Sequence, residues 1–230
     1  KAPLVVLDDA DLDDAVNAAA FGCFANSGQI CMSTERIIVD EKIADAFVKK
    51  FADKARNLPL GDPRKPEPVV LGSVIGMSTG EHCNALIDDA LAQGAKLVCG
   101  GKADNTLMPA TLIDRVTPAM RIYHEETFGP VKAIVRVRST EEAIACANDN
   151  EYGLSAAVFG GDIARAFNVA RKIDSGICHV NGPTVHDEAQ MPFGGVKGSG
   201  IGRFGGKAGI AEFTELRWIT LQTSPRHYPF

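Results

Sequence analysis

The sequence lacks several features that would place it in a specialised class of protein. Its 230 residues contain no uninterrupted apolar run near the roughly 18 residues that a membrane-spanning helix needs. Basic residues are not in excess, since the net charge is −5, which disfavours a broad nucleic-acid surface. Aromatic residues make up only 7%, yet apolar residues reach 45%, enough for one substantial core. We therefore expect a globular protein whose partners are neither membranes nor nucleic acid.

The six cysteines form no CxxC pair. They are spread along the chain at positions 23, 31, 83, 99, 146 and 178. This spacing predicts free thiols in a reducing compartment rather than a disulfide scaffold. The five histidines show no spacing with cysteines or acids that is typical of a metal centre, so we expect no metal. No signal or transit peptide is recognisable, and the expected location is the cytoplasm.

Predicted strands and helices alternate along most of the chain. Helical segments show apolar residues at helical spacing, and short apolar runs between them are typical of buried strands. The predicted strands are 3–7, 36–39, 96–99, 108–113, 131–137, 155–159 and 177–180. The predicted helices lie near 11–26, 41–57, 79–93, 140–149, 163–173 and 206–212. This alternation predicts an α/β fold with a mostly parallel sheet and helices on both faces.

The C-terminal residues fall outside this alternation. Residues 217–222 alternate apolar and polar side chains as a strand does, yet the sequence offers no evident partner strand. We therefore expect an edge strand that pairs with another chain and forms a homo-oligomer. Residues 1–215 are predicted to form the α/β domain, and residues 216–230 an oligomerisation strand and tail.

Cys31 is a candidate nucleophile. It lies in the short loop 27–33 between a predicted helix and a predicted strand, where a thiol can be accessible. Gly28 in the same loop would let backbone N–H groups approach a bound oxygen. The other cysteines lie on apolar stripes or inside strands and helices, so they are predicted core residues. A buried core role is the alternative for Cys31 as well.

Two further segments combine residue types that are common in binding sites. Segment 125–130 places two carboxylates before an aromatic side chain and a Gly-Pro break, at the entry to a predicted strand. A carboxylate there could accept hydrogen bonds from hydroxyls, and the aromatic ring could pack on a flat ligand. A solvated charge pair in a turn is the alternative. Segment 193–206 is rich in glycine, which predicts backbone packed tightly around a site.

Together, these segments resemble the NAD(P)-dependent aldehyde dehydrogenase superfamily. The matching residues are Asn-Ser-Gly-Gln-Ile-Cys at 26–31, Glu-Glu-Thr-Phe-Gly-Pro at 125–130, Asn181, and Pro-Phe-Gly-Gly-Val-Lys at 192–197. Tyr-Gly-Leu at 152–154 is a further landmark, and order and spacing match over essentially the whole chain. Segment 180–193 also resembles the branch of the family that acts on the aromatic aldehydes vanillin and salicylaldehyde.

The resemblance implies a reaction and a role for each matching residue. Cys31 would attack the aldehyde to give a thiohemiacetal, hydride would pass to the nicotinamide of NAD or NADP, and water would hydrolyse the resulting thioester to a carboxylic acid. Glu126 would bind the nicotinamide ribose, and Phe128 and Leu154 would pack near the nicotinamide. The implied substrate pocket, apolar enough for a flat aldehyde, consists of Ile30, Met32, Val185, His186 and Phe193. The residues implied to support the site are Gly28, Asn181, Gly194 and Gly195.

The sequence departs from the family pattern in several ways. The family's dinucleotide-binding domain, its general-base glutamate and its oxyanion-hole asparagine precede the catalytic domain, and these 230 residues match none of them. Residues 1–215 match the catalytic domain alone, so we expect a fragment of a longer enzyme. Phe204 stands where the family often has a glutamate after Gly-Arg. For the fragment by itself we expect no dehydrogenase activity and weak or no cofactor binding.

Two other functions remain open for the chain by itself. Cys31 and its loop N–H groups would support a slow thiol esterase or acyl-transfer activity, because an activated ester acylates a thiol without a cofactor. Turnover would be slow without the general base, whose contribution is typically ~10²–10⁴-fold. The other alternative is a folded, non-catalytic chain that self-associates through residues 217–222.

Overall fold

A seven-stranded sheet forms the centre of the protein in a computed structural model that describes residues 1–230. The strands are β1 (Ala2–Val6), β2 (Thr34–Asp40), β3 (Lys96–Cys99), β4 (Thr111–Asp114), β5 (Val131–Val137), β6 (Tyr152–Gly153), β7 (Ser155–Phe159), β8 (Ile177–Val180) and β9 (Val196–Lys197). The main sheet has the order β3-β4-β5-β2-β1-β7-β8, and β6 pairs with β9. Every pairing in the main sheet is parallel except β3 with β4 at one edge. The predicted, mostly parallel sheet is therefore confirmed.

Seven helices connect these strands or follow them. They are α1 (Leu12–Phe24), α2 (Glu41–Arg56), α3 (Met77–Ala92), α4 (Arg121–His124), α5 (Thr140–Asn148), α6 (Ile163–Ala170) and α7 (Gly206–Glu212). Side-chain oxygens satisfy free N–H groups at several helix starts. Asp11 accepts hydrogen bonds from the backbone of Asp13 and Asp14, and Ser139 accepts one from the backbone of Glu142. None of the helices combines the length and apolar character that a membrane-spanning helix requires.

The helices cover both faces of the sheet, as expected from the alternation of elements. Leu4 and Val6 of β1 pack on the side of α1 and α2, whereas Val5 packs on the side of α3, α5 and α6. The two resulting cores contain 23 and 28 buried residues. Because successive side chains of a strand point to opposite faces, a strand buried on both sides has an uninterrupted apolar sequence. This explains why the central strands are apolar runs rather than alternating patterns.

The observed and predicted elements differ mainly where elements are short. The strand predicted at 108–113 is observed at Thr111–Asp114. Pro109 has no N–H to donate to a neighbouring strand, which accounts for the later start. Helix α4 and the two-residue strands β6 and β9 were not expected, because such short elements produce no recognisable periodicity.

The predicted C-terminal strand is not confirmed. Residues 214–230 form no helix or strand, and the side chains of Leu216, Trp218 and Leu221 are almost fully exposed. A strand requires hydrogen bonds to a neighbouring strand, and residues 217–222 have no such neighbour within the single chain. Pairing of these residues with another chain stays a prediction.

The topology gathers the candidate site segments at the amino-terminal edge of the sheet. Strands β5, β2, β1 and β7 are consecutive neighbours and run in the same direction. Segment 125–130 leads into β5, the Cys31 loop leads into β2, and Leu154 immediately precedes β7. Since neighbouring strands lie about 4.8 Å apart, the distance between any two of these segments is at most a few strand spacings.

Candidate active site

The loop that carries Cys31 begins with a sharp reversal after helix α1. Asn26, Ser27 and Gly28 follow one another with φ angles of 51°, 56° and 75°, in the left-handed region. The side chains of Asn26 and Gln29 each donate to the backbone carbonyl of the other, at 3.2 Å in both cases. An asparagine tolerates the left-handed conformation better than most residues, and local hydrogen bonds of this kind stabilise it. The reversal turns the chain so that Cys31 lies at the surface.

Cys31 is the only exposed thiol of the six. Cys23, Cys83, Cys99 and Cys146 are buried, as predicted for core residues, whereas Cys178 is half-buried rather than enclosed. Burial raises the pKa of Cys23 to about 12 and the pKa of both Cys83 and Cys178 to about 11. Burial also raises the pKa of Cys99 and Cys146. Cys31 is therefore the thiol that a reagent in solution can reach, whereas burial keeps the other five less accessible and less reactive.

Two N–H groups of the same loop are free to bind an oxygen atom. The backbone N–H groups of Cys31 and Met32 take part in no backbone hydrogen bond. Two hydrogen bonds from Ser33 fix the conformation of the loop. Its N–H donates to the Ile30 carbonyl at 2.8 Å, and its hydroxyl donates to the Gly22 carbonyl at 2.9 Å. Free N–H groups on a fixed loop beside a nucleophile can stabilise a developing oxyanion.

The Cys31 loop packs directly on segment 125–130. A Cβ atom on Gly28 would overlap the carbonyl oxygen of Gly129, and one on Gly129 would come within 2.7 Å of the Cys83 sulfur. Phe128 adopts a φ of 42° and is 42% exposed. The glycines thus permit the two loops to touch, and Phe128 is left at the surface beside them.

Glu126 and Leu154 lie at the same edge of the sheet, and Lys1 at the start of the chain is close to both. The Glu126 carboxylate is 30% exposed, with Oε1 3.2 Å from the backbone nitrogen of Lys1. The Glu126 carbonyl pairs with Nε2 of His82 at 2.9 Å. Leu154 lies beside Lys1 on the wall of a small cleft. Glu126 and Phe128 therefore offer a carboxylate and an aromatic face to a ligand on one side of the Cys31 loop, with Leu154 nearby.

A buried ion cluster beneath this segment was not predicted from the sequence. The Glu35 carboxylate on β2 lies 3.0 Å from the amino group of Lys132 on β5 and 3.0 Å from the amino group of Lys1. Thr127 donates its backbone N–H to Glu35 at 3.0 Å and its hydroxyl to Glu35 at 2.8 Å. The Lys1 amino group also donates to the Glu125 carbonyl.

Charge compensation keeps Glu35 ionised. Burial is the largest influence and opposes ionisation, but Lys132, Lys1 and the hydrogen bonds from Thr127 together hold the pKa of Glu35 below its ordinary value. Burial lowers the pKa of Lys1, and Glu35 acts in the opposite direction. The signal available in the sequence was a lysine inside the apolar strand 131–137, since a buried charge is rarely left without a partner.

The chain that follows β8 starts at the opposite, carboxyl-terminal edge of the sheet and then returns to the edge of the Cys31 loop. Asn181 stands at that opposite edge, so the structure does not bring it to the Cys31 loop. Asn181, with a φ of 53°, exchanges two side-chain hydrogen bonds with the backbone of Gly160, at 3.0 and 3.1 Å. The hydroxyls of Thr34 and Thr184 lie 2.8 Å apart in a buried pair, and Ser155 donates to the Thr184 carbonyl. Thr34 starts the strand that follows the Cys31 loop, so this pair joins that loop to the segment that contains His186.

His186 and Phe193 line a cavity of about 330 Å³ beside β8. Its walls also include Ile177, Cys178, His179, Glu188, Met191 and Pro192. The rings of His179 and His186 meet edge to face, with centroids 5.2 Å apart. The other residues of the implied substrate pocket, Ile30, Met32 and Val185, do not line this cavity, and Met32 is buried.

The glycine-rich segment packs tightly, as its composition predicts. A Cβ atom on Gly194 would come within 2.5 Å of the Gly202 carbonyl, and one on Gly195 within 2.5 Å of the Ser199 side chain. Arg203 donates to the Gly195 carbonyl at 2.7 Å. The segment thereby packs against Gly153 and Leu154, which precede β7. No group of three or more His, Cys, Asp or Glu side chains in the structure could hold a metal ion.

Known proteins match this sequence and this fold. A sequence model of the aldehyde dehydrogenase family matches residues 1–219. The vanillin dehydrogenase of Pseudomonas fluorescens is 60% identical over 229 residues, which are 100% of this chain and 47% of that protein. A crystal structure of a salicylaldehyde dehydrogenase from Pseudomonas putida G7, complexed with salicylaldehyde, gives a TM-score of 0.94 at 53% identity and covers 100% of this chain and 48% of that one. The NADP-dependent glyceraldehyde-3-phosphate dehydrogenase from Bacillus halodurans C-125, complexed with NADP, gives a TM-score of 0.88 at 39% identity over 91% of this chain and 44% of that one.

The extent of these matches decides what they establish. The chain spans about half the length of the curated relatives it matches. The family match nevertheless includes every strand of the main sheet, the Cys31 loop and segment 125–130. The chain therefore belongs to the aldehyde dehydrogenase family.

Proposed function

We propose that this chain is the catalytic half of an NAD(P)-dependent enzyme that oxidises an aromatic aldehyde to a carboxylic acid. The observation that carries the proposal is the contact between two loops. The exposed thiol of Cys31 lies on a loop that packs, through Gly28 and Gly129, against the segment that bears Glu126 and Phe128. A nucleophile and groups suited to a nicotinamide riboside thus share one edge of the sheet.

The residues of this edge support the attack on the aldehyde and the binding of the nicotinamide half of the cofactor. The Cys31 sulfur attacks the aldehyde carbon, and the N–H groups of Cys31 and Met32 bind the oxygen that becomes negative. The Glu126 carboxylate would accept hydrogen bonds from the ribose hydroxyls of a bound cofactor, and Phe128 and Leu154 would hold its nicotinamide. A bound nicotinamide would accept the hydride that leaves the thiohemiacetal. Water then hydrolyses the thioester on Cys31, releasing the carboxylic acid and the thiol.

The cavity beside β8 fits an aromatic substrate by size and lining, although Cys31 itself does not line it. Its volume of about 330 Å³ accommodates a single substituted ring. Phe193, Pro192 and Met191 supply apolar and aromatic contact area, and His186 supplies a polar group at the wall. Two relatives are named for vanillin and salicylaldehyde, both of which are hydroxylated benzaldehydes.

The proposal divides the work between this chain and the remainder of a longer enzyme. Residues 1–215 supply the nucleophile and the nicotinamide side of the cofactor site. The general base for thioester hydrolysis and the site for the adenosine half of the cofactor are assigned to residues outside these 230. We therefore expect the isolated chain to form no NADH.

A fusion enzyme tests this assignment. The part of the Pseudomonas fluorescens vanillin dehydrogenase that this chain does not cover, which we assign to its N-terminal half, is joined to residue 1 of the chain. We expect the fusion to form NADH when supplied with NAD and vanillin, salicylaldehyde or benzaldehyde. The controls are the 230-residue chain alone and the N-terminal half alone, both expected to be inactive. A fusion that folds and binds NAD but forms no NADH with any of the three aldehydes would contradict the proposal.

We also propose that the C-terminal tail mediates self-association with a second copy of the chain. The tail exposes a series of large apolar side chains that nothing in the single chain covers: Leu216, Trp218, Ile219 and Leu221. Residues 217–222 also carry unpaired backbone groups that a strand of a second copy could satisfy.

Removal of the tail tests the self-association. We expect the chain to migrate in light-scattering chromatography as a particle larger than its monomer mass of 24.4 kDa, and a version lacking residues 217–230 to migrate as a monomer. An oligomeric state that is the same with and without the tail would rule out the tail as the interface.

A further inference from the structure

The cluster around Glu35 lies directly under the segment assigned to the cofactor. Both oxygens of the Glu35 carboxylate are engaged, one with the Thr127 hydroxyl and Lys132, the other with the Thr127 N–H and Lys1. Thr127 is 1% exposed, whereas its neighbours Glu126 and Phe128 reach the surface. Glu35 thus holds the buried Thr127, and Thr127 in turn positions Glu126 and Phe128 on either side of it.

The conformation of this segment needs such an anchor. Phe128 has a φ of 42°, a conformation that a bulky residue adopts only when its surroundings impose it. Thr127 immediately precedes it and donates two hydrogen bonds to one carboxylate, and hydrogen bonds to a charged acceptor are stronger than neutral ones. Stability by itself does not account for the cluster, because apolar residues replace a buried ion pair with little or no net loss.

We propose that Glu35, with Lys132 as its counter-ion, is a positioning residue that fixes Glu126 and Phe128 for binding of the nicotinamide riboside through its two hydrogen bonds to Thr127. The proposal rests on the proposed function, because it takes Glu126 and Phe128 as the groups that contact the cofactor. Glu35 also follows Cys31 by four residues at the start of the same strand. The start of β2 therefore positions the Cys31 thiol and, through Thr127, also positions segment 125–130.

The anchor is tested first in the 230-residue chain without any cofactor. Thr127→Val removes the hydroxyl that bonds Glu35 and keeps the branched shape, whereas Thr127→Ser keeps the hydroxyl. We expect hydrogen exchange of the amides in residues 125–129 to accelerate about tenfold in Thr127→Val, the factor expected for loss of one hydrogen bond to a charged group. Exchange in Thr127→Ser should stay close to that of the wild type. Unchanged exchange in Thr127→Val would overturn the proposal.

The positioning role is tested second by cofactor affinity in the fusion enzyme. The dissociation constant of NADH, measured by fluorescence of the bound nucleotide, is expected to rise about tenfold in Thr127→Val and to be restored in Thr127→Ser. Ser139→Ala is the matched control, because Ser139 caps α5 through its bond to Glu142 and its loss lowers stability without touching Glu35 or Thr127. Its NADH affinity should equal that of the wild type.

The outcomes separate this proposal from the proposed function. Faster exchange with unchanged NADH affinity would overturn the positioning role, since the anchor would then serve the fold alone. A wild-type fusion that binds NADH but oxidises no aldehyde would contradict the proposed function, and the affinity of Thr127→Val would still decide the role of Glu35. A wild-type fusion that binds no NADH would overturn both.

Discussion

Replacement of Cys31 by alanine is expected to abolish aldehyde oxidation by the fusion enzyme, with a loss in kcat of about 10⁴-fold or more. The loss is large because the reaction passes through a bond to the Cys31 sulfur, and no other thiol can replace it. The other five thiols are not exposed, and burial raises the pKa of each. Steady-state NADH formation measures the loss. NADH affinity is expected to be unchanged, because Cys31 lies on a different loop from Glu126 and Phe128.

Cys178→Ala is the matched control for this experiment. Cys178 is the other thiol that is not fully buried, and it lines the cavity beside β8 together with His186 and Phe193. Burial raises the pKa of Cys178 to about 11, so it is protonated at neutral pH and a poor nucleophile. Its substitution alters the wall of the proposed substrate cavity, so we expect KM to change while kcat stays close to that of the wild type. Activity that survives in Cys31→Ala and disappears in Cys178→Ala would show that the nucleophile is Cys178, in the wall of the cavity, rather than Cys31.

The same variant separates the dehydrogenase from a slow thiol esterase. With an activated aromatic ester and no cofactor, the 230-residue chain is expected to release one equivalent of leaving group in a burst, and Cys31→Ala none. Turnover after the burst should be very slow, because a general base typically contributes ~10²–10⁴-fold to a hydrolysis step. Sustained fast turnover by the chain alone would favour an esterase instead.

The sequence predicted the fold and the Cys31 loop well, because both depend on local patterns. Alternation of apolar runs with helical periodicity is sufficient for an α/β sheet with helices on both faces. A cysteine beside glycine between a helix and a strand indicated a surface loop, and the structure places Cys31 at the surface there. The crowding of Gly194 and Gly195 follows from their composition in the same way.

The remainder of the site depends on contacts between distant residues, which local patterns do not specify. Glu35 and Lys132 are 97 positions apart and meet because β2 and β5 are neighbours in the sheet. The strand predicted at 36–39 also excluded Glu35, although β2 begins at Thr34. The cavity beside β8 is formed by a segment that returns along the sheet after Asn181, a course that no periodicity reveals. Residues 217–222 have a strand pattern, yet a strand also requires a partner.

Replacement of Glu35 by leucine is expected to lower the free energy of unfolding by about 3–5 kcal/mol, because it leaves the amino groups of Lys132 and Lys1 buried without their counter-ion. Thr127 also loses the acceptor for its N–H and its hydroxyl. Urea unfolding of the 230-residue chain measures the loss. The double variant Glu35→Leu with Lys132→Met should recover much of it, since one uncompensated charge is removed. A loss below about 1 kcal/mol in Glu35→Leu would show that the two lysines are not confined to this cluster.

The pH dependence of this loss gives an independent check on the charge of Glu35. Its pKa in the folded protein lies below its ordinary value of 4.5, because Lys132, Lys1 and Thr127 outweigh the opposing effect of burial. A carboxyl with a lowered pKa stabilises the fold above pH 4.5, and this contribution disappears as the pH falls from 4.5 toward the folded pKa. Glu35→Leu lacks the titration, so its deficit relative to the wild type should be complete at neutral pH and shrink on acidification. Asp8, whose pKa hydrogen bonds from Lys42 and Arg165 lower to about 2, titrates in both proteins and cancels from the difference. A deficit that stays constant down to about pH 3 would mean that Glu35 is not the ionised centre of the cluster.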